Sequence, residues 1–558
     1  VEFRSVDIPL RGFMTDIASI TFFLASVLIA AIPLAWWLYT ILFAFPERGL
    51  LFRLDAWLST LLVGKRDSGG HSWRQYLGGV LAFNLIGLLA LFFMLLLQPL
   101  WARGLPAIPW HGALNIAASF VTNTNWQWYA GEVTLHPATQ ALGLGVQNFL
   151  SAACGLAVFA ALTRSLMAWT HCGNLWDDVR RSIVFLLLPA SLVLACVFVA
   201  QGIPQTIDAW MFHDASPQAQ NVPLGPVASQ VAIKQLGSNG GGFYNVNSSH
   251  PLENPTWVTN ALQQWALLAL PAACVIAFGM ALKKPRHGAA IAAAMSMMFV
   301  AGAVVIAAGE GQFGSMEGKD VRIGTASSII WAAATTSASN GSVNAMHSSL
   351  TPLAGAVAMA NMATGEVIFG GIGSGMYGMV MYVVLTVFLC GLMIGRTPEY
   401  QGVKLTANVM WPVVVALLLP TFIIILLVCL AIVVPGASGA VSTTGPHALS
   451  EIIYAVLSAV GNNGSAFAGL AAGGPEWTSI TTAGMLLGRF GVIVPVMMFA
   501  GRAAKAASHQ QRSVQLSTEG PLFVTLLIGT IVLVGVLTAA PMFVLGPGAD
   551  YLLQVVHQ

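Results

Sequence analysis

Four short polar stretches interrupt an otherwise apolar chain: Asn123-Thr124-Asn125, Ser238-Asn239-Gly240, Ser339-Asn340-Gly341 and Asn462-Asn463-Gly464. Each follows a half-length apolar or small-residue segment (111–122, 226–237, 326–337 and 451–461) and precedes a longer one. Ten or so residues cannot cross a bilayer, but they can enter it as a short helix and turn back. Irregular backbone at that depth survives only where protein or a water-filled cavity surrounds it. One such stretch reads as an ordinary Asn-Gly turn. Four in register on one side read as a repeat. The unit is helix, re-entrant helix, polar loop, helix, and four copies in one polypeptide can close a ring about a pseudo-fourfold axis.

The rest of the chain agrees. It is 56% hydrophobic and 8% charged, which predicts an all-α integral membrane protein. Apolar segments near 17–45, 76–100, 138–168, 182–203, 258–281, 288–309, 375–395, 408–434, 478–504 and 520–546 predict about ten transmembrane helices. Sixteen of the 23 lysines and arginines fall in alternate loops: Arg48, Arg53, Lys65, Arg66 and Arg74; Arg164, Arg180 and Arg181; Lys283, Lys284 and Arg286; Arg396 and Lys404; Arg502, Lys505 and Arg512. Those loops are expected on the cytoplasmic side. The intervening loops carry Arg103, Lys234, Lys319 and Arg322 and all four polar stretches. Basic residues this dispersed form no nucleic-acid patch. The six cysteines have no close pairing and read as packing residues.

The expected organisation is an upstream or artificial extension (1–13), with Met14 as the start. A first span and cytoplasmic loop follow (14–70), then pore units 71–170, 171–282, 283–400 and 401–510, and a C-terminal span (511–558). Arg4 and Arg11 fall on the outer side in this scheme, a further reason to set residues 1–13 aside.

A ring of carbonyl oxygens can replace the hydration shell of a potassium ion. Turning successive carbonyls to one side needs backbone conformations that glycine adopts freely and asparagine tolerates. Gly240, Gly341 and Gly464 therefore suit the third position of their stretches, with Asn125 in the matching place of the first. No carboxylate ring lines the loops, which argues against calcium-type selectivity. The negative ends of the re-entrant helices would favour a cation.

Several motifs carry a family resemblance: Thr122-Asn123-Thr124-Asn125-Trp126-Gln127, then Gly-Ser-Asn-Gly-Gly-Gly-Phe at 237–243, Asn-Ser-Ser-His-Pro at 247–251, Gly-Arg-Thr-Pro-Glu-Tyr at 395–400 and Asn-Asn-Gly-Ser-Ala-Phe-Ala-Gly-Leu at 462–470. From about Trp73 onward the chain resembles the potassium-binding, channel-like A subunit (KdpA) of the bacterial potassium-translocating P-type ATPase. The resemblance implies the potassium-transporter superfamily fold, four helix–pore-helix–helix units. It implies a non-hydrolytic component of the bacterial inner membrane, embedded in its lipids. Such a component selects potassium outside and passes it through an internal tunnel to an ATP-hydrolysing B subunit. A C subunit assists, and a small single-span F subunit stabilises the assembly. The selectivity filter then falls on the four triplets, with Gln127 supporting ion discrimination. Asn340 departs from the cysteine of some members, and Ser348 from a common aspartate. An autonomous channel or cotransporter of the same superfamily is the alternative, and the 395–400 motif favours the pump component.

Arg489 and Glu366 lie in apolar stretches, where a central arginine costs at least about 2.5 kcal/mol. Both are expected to line the inner cavity or tunnel, as matching family positions suggest. Gly370, Gly371, Gly373, Gly375 and Gly378 are expected to break a helix into a flexible gating loop. Gly373 to Gly378 formally match GxGxxG, but no strand–turn–helix unit surrounds them, and a dinucleotide site is rejected. No GxxxxGK[ST] loop and no Asp-Lys-Thr-Gly motif occurs, so no ATP site is expected in this chain. His111, His347 and His447 lack metal-ligand spacing and read as loop or capping residues. Arg396 with Glu399 is a candidate docking point for the B subunit.

Overall fold

The computed structural model describes residues 10–63, 69–102, 104–167, 169, 171–206, 211–212, 222–507 and 517–556. Arg4, Lys65, Arg66, Arg103 and Arg512 lie outside the described residues.

Among the described residues ten helices are long and apolar enough to cross a membrane, one at each expected segment. The first, α1 (Leu10–Phe43), begins inside the segment set aside as an extension, so residue 13 marks no boundary of the helix. It buries Ile20, Leu24, Val27, Ala31, Ala35, Leu38 and Leu42, a stripe at helical spacing, and leaves Phe22, Ile29, Ile32 and Trp36 exposed. For a membrane helix the exposed side is a lipid face. A shorter helix, α2 (Leu50–Val63), follows. It is pinned by Asp55, which pairs with Arg180 and Arg181 at 2.8 Å each.

Next come α3 (Trp73–Trp101), short α4 (Trp110–Val121) and α5 (Thr139–Leu166). Ser72 and Gln75 close a capping box that starts α3. The pattern recurs as α6 (Leu175–Ala200), short α7 (Val227–Leu236) and α8 (Trp257–Ala281). A third copy comprises α9 (Pro285–Phe313), short α10 (Thr325–Ser337) and a helix in two pieces, α11 (Pro352–Ala363) and α12 (Ser374–Met393). The fourth is α13 (Ala407–Val433), α14 (Pro446–Val460) and α15 (Pro475–Ala507); a last span, α16 (Pro521–Val556), closes the chain. In each copy the short helix packs against both of its long neighbours.

The short helices occupy the core. Most residues of α4, α7, α10 and α14 are buried, as are nearly all faces of α5 and α8. Two two-stranded antiparallel pairs are the only strands among the described residues, and Tyr400 and Val403 of the second pack into the hydrophobic core. Of the cysteines, Cys154, Cys172 and Cys274 are buried, whereas Cys196 and Cys429 are exposed on spanning helices.

Candidate functional site: a ring of backbone carbonyls

Each short helix ends where a polar triplet begins, and the four triplets share one backbone geometry. The first and third residues of each are left-handed: Asn123 (φ 67°) and Asn125 (51°), Ser238 (50°) and Gly240 (85°), Ser339 (54°) and Gly341 (84°), Asn462 (58°) and Gly464 (102°). The middle residues Thr124, Asn239, Asn340 and Asn463 are not. Alternating hand gathers amides on one side of the strand and carbonyls on the other. The amides turn back to the helix. Each middle N–H donates to the carbonyl five residues earlier: Thr124 to Ser119 (2.9 Å), Asn239 to Lys234 (2.8 Å), Asn340 to Thr335 (3.2 Å) and Asn463 to Ser458 (2.8 Å).

The carbonyls are left over. Among the described residues no backbone amide donates to any of the twelve triplet carbonyls. Side chains reach three of them: Asn123 donates to Ser238 O (2.7 Å), Asn247 to Gly240 O (2.7 Å) and Ser339 to Asn462 O (3.1 Å). Buried carbonyls normally find partners, and leaving them bare is costly unless a ligand meets them.

The triplets touch in cyclic order. A Cβ on Gly240 would lie 1.7 Å from Asn340 O, one on Gly341 2.2 Å from Asn463 O, and one on Gly464 1.9 Å from Thr124 O. The first and second triplets meet through Asn123, which takes a hydrogen bond from Asn239. Asparagine amides tie neighbouring units from behind: Asn340 reaches Lys234 O (3.0 Å) and Asn463 reaches Thr335 O (2.8 Å). Asn125, the one third-position residue with a side chain, sends it to Asn148 Oδ1 (2.8 Å). On the side assigned outward by charge, a cavity of about 540 Å³ is lined by Asn125, Gln127, Asn247, Gly341 and Gly464. Gln127 clamps the first unit to the second, exchanging hydrogen bonds with Gly242 O (2.9 Å) and Gly242 N (2.8 Å).

On the inner side lies the break between α11 and α12. It spans residues 364–373, and so contains Gly370, Gly371 and Gly373. Gly375 and Gly378 belong to α12, a correction to the expected glycine loop. Close approach explains the glycines better than looseness. A Cβ on Gly370 would fall 1.5 Å from Glu366 O, and one on Gly375 2.4 Å from Gly370 Cα. Gly373, at φ 74°, caps α12 against Gly155 O.

Glu366 sits in the same break, buried and left-handed (φ 58°). Its carboxylate accepts a hydrogen bond from Ser339 Oγ, at the inner end of the third triplet. Its second oxygen meets no hydrogen-bond donor among the described residues. Arg489, on α15, is also buried. It lies beside Gly155 of α5, whose Cβ would be 3.4 Å from its Nη2. No ion pair joins it to Glu366 among the described residues. Both charges face the protein interior rather than headgroups.

Other expected groups disperse. Glu399 is buried in the hairpin Glu399–Tyr400/Val403–Lys404 while Arg396 is exposed, so the two do not form one docking surface. A helix, α11, and no strand leads into the 373–378 glycines. His111 meets Thr478 (2.9 Å), His347 meets Tyr454 (2.7 Å) and His447 meets Asp550 (2.8 Å). No group of three or more metal-ligating side chains occurs among the described residues. One feature was not anticipated: Lys234, within α7, forms a fully buried ion pair with Glu253. A lysine in a segment assigned to membrane depth demands a partner, and that signal was available at residue 234.

Fold and geometry together define a class: a multi-pass membrane protein in which four short helices hold a ring of backbone carbonyls that no backbone amide meets among the described residues. The family described as potassium-transporting ATPase A subunit (KdpA) matches residues 21–552, and the chain belongs to this family. It is similar to the potassium-transporting ATPase potassium-binding subunit of Pseudomonas entomophila (strain L48), 48% identical over 88% of this chain and 90% of the relative. It is also 45% identical to the protein of that name from Salmonella newport (strain SL254), over 97% of this chain and 99% of the relative.

Proposed function

We propose that the four triplets are the selectivity filter of a potassium-uptake pump. In this reading the chain binds potassium from the extracytoplasmic side through backbone carbonyls and delivers it through an internal tunnel to an ATP-hydrolysing partner. The carrying observation is the ring of triplet carbonyls that no backbone amide satisfies, which is what a dehydrated cation needs. Gln127 stiffens the outer mouth, while Glu366 and Arg489 border the inner path. The broken third-unit helix stands where passage could be gated. Family membership favours a pump component over an autonomous channel. The partners we assign are an ATP-hydrolysing B subunit, a C subunit and a single-span F subunit, in the inner membrane of a bacterium.

Potassium-stimulated ATP hydrolysis by the chain co-purified with its ATPase partner tests the reading against Gly341→Asp. Stimulation at low potassium, little response to sodium and a large loss of apparent affinity in the variant are expected. Hydrolysis indifferent to potassium in both forms, with the complex intact, would overturn it.

A further inference from the structure

The second triplet is held differently from the other three. Lys234 Nζ, on α7, donates to Asn247 Oδ1 at 2.8 Å and pairs with Glu253 Oε2. Asn247 in turn donates from Nδ2 to Gly240 O at 2.7 Å. Glu253 is fixed by the N–H of Tyr244 (2.9 Å). The carbonyl of Lys234 holds the other side of the loop, accepting from Asn239 N and Gly240 N (3.1 Å). No side chain donates to the third-position carbonyls of Asn125, Gly341 or Gly464 among the described residues.

We propose that Lys234, Glu253 and Asn247 form a buried strut that sets the position and strength of one filter carbonyl, making Asn247 a specificity-determining positioning residue for potassium. The proposal rests on the filter reading above. A carbonyl oxygen has two lone pairs, and Asn247 takes one at Gly240. The Lys234 ammonium polarises the Asn247 amide, so its N–H is a stronger donor than a neutral network would supply. The outer ring is therefore unequal, with one oxygen restrained and weakened toward a cation and three left to adjust. Selectivity that depends on carbonyl number and field strength responds to such a restraint. Glu253 neutralises the lysine, so the strut places no unbalanced charge beside the passing ion.

Asn247 is left-handed (φ 58°). Asn247→Gly therefore keeps the backbone unstrained and leaves the Lys234–Glu253 pair in place. In the assembled pump, the half-saturating potassium concentration is expected to change about tenfold, equivalent to about 1.4 kcal/mol. The preference for potassium over rubidium and sodium should narrow with it. Removing both charges, in Lys234→Met with Glu253→Gln, leaves no lone buried ion and should shift the ion preference in the same direction. A purely structural strut predicts otherwise: lower thermal stability with half-saturation and ion preference unaltered in Asn247→Gly, a result that overturns the proposal. Gly341→Asp is the control. If it moves half-saturation and Asn247→Gly does not, the strut alone is wrong; if neither does, the filter reading falls as well.

Discussion

Replacing Gly341 by alanine places a methyl 2.2 Å from the carbonyl oxygen of Asn463, whose carbon would lie 2.9 Å away. Nonbonded heavy atoms settle near about 3.5 Å, so the fourth triplet must retreat by roughly 1 Å. Two costs follow, and they are separable. The left-handed φ of 84° costs any L-residue about 1–2 kcal/mol, which is lost from the stability of the ion-free and ion-bound states alike. Displacing the Asn463 carbonyl weakens the bound state alone. A contact between a polar group and a charge is worth about 1.5–3 kcal/mol, which corresponds to a loss of roughly 10- to 100-fold in potassium affinity.

Gly324→Ala isolates the first cost. Gly324 also has a positive φ (79°, with ψ 168°), a conformation that favours glycine, but its Cβ would meet nothing within 4 Å. The assay is the potassium concentration giving half-maximal ATP hydrolysis, together with the thermal midpoint of the purified complex. Both variants should lower the midpoint, and Gly341→Ala alone should raise the half-maximal potassium. Equal affinities in the two variants would refute the steric argument.

Gln127→Ala removes both hydrogen bonds to Gly242 and should raise half-saturating potassium by several-fold, about 1 kcal/mol; a stability loss with no change in half-saturation would count against a role at the mouth. Arg489→Met should impair transport in flux assays, and unaltered affinity and rate would reject its role in the path. Asp55→Asn should destabilise the folded chain by about 3 kcal/mol or more, because it leaves Arg180 and Arg181 short of their shared carboxylate; denaturation in detergent reads this. Burial raises the Asp55 carboxyl, but the arginines outweigh it and hold it below its ordinary 3.8. Its contribution is thus present above the ordinary carboxylate range and lost only as pH falls through the lower folded value. In consequence, the difference between wild type and Asp55→Asn should be constant at neutral pH and shrink below about pH 4.

The spans and short helices were legible because length and apolarity decide them: ten residues before Asn-Gly cannot cross, and 20 or more can. The triplets were legible because left-handed backbone selects glycine and asparagine, and serine at positions 238 and 339 is the exception. What stayed hidden depends on partners distant in sequence. Glycine density announced a break between α11 and α12, but not its bounds: it opens at residue 364 and closes before Gly375 and Gly378, because close contacts of Gly370 and Gly373 set it. Lys234 was read as a loop charge because Glu253 and Asn247 reach it only after the chain has turned past the second triplet. Glu399 looked exposed until the hairpin at 399–404 folded it inward.

The central claim is that the triplet carbonyls hold a dehydrated potassium ion. Anomalous scattering from thallium, a potassium-sized cation, bound to crystals of the protein tests it most directly. The account predicts a peak ringed by the middle- and third-position carbonyls of the four triplets, and its loss in Gly341→Asp. A peak confined to the acidic side chains of the outer loops, with the ring empty at saturating thallium, would contradict it.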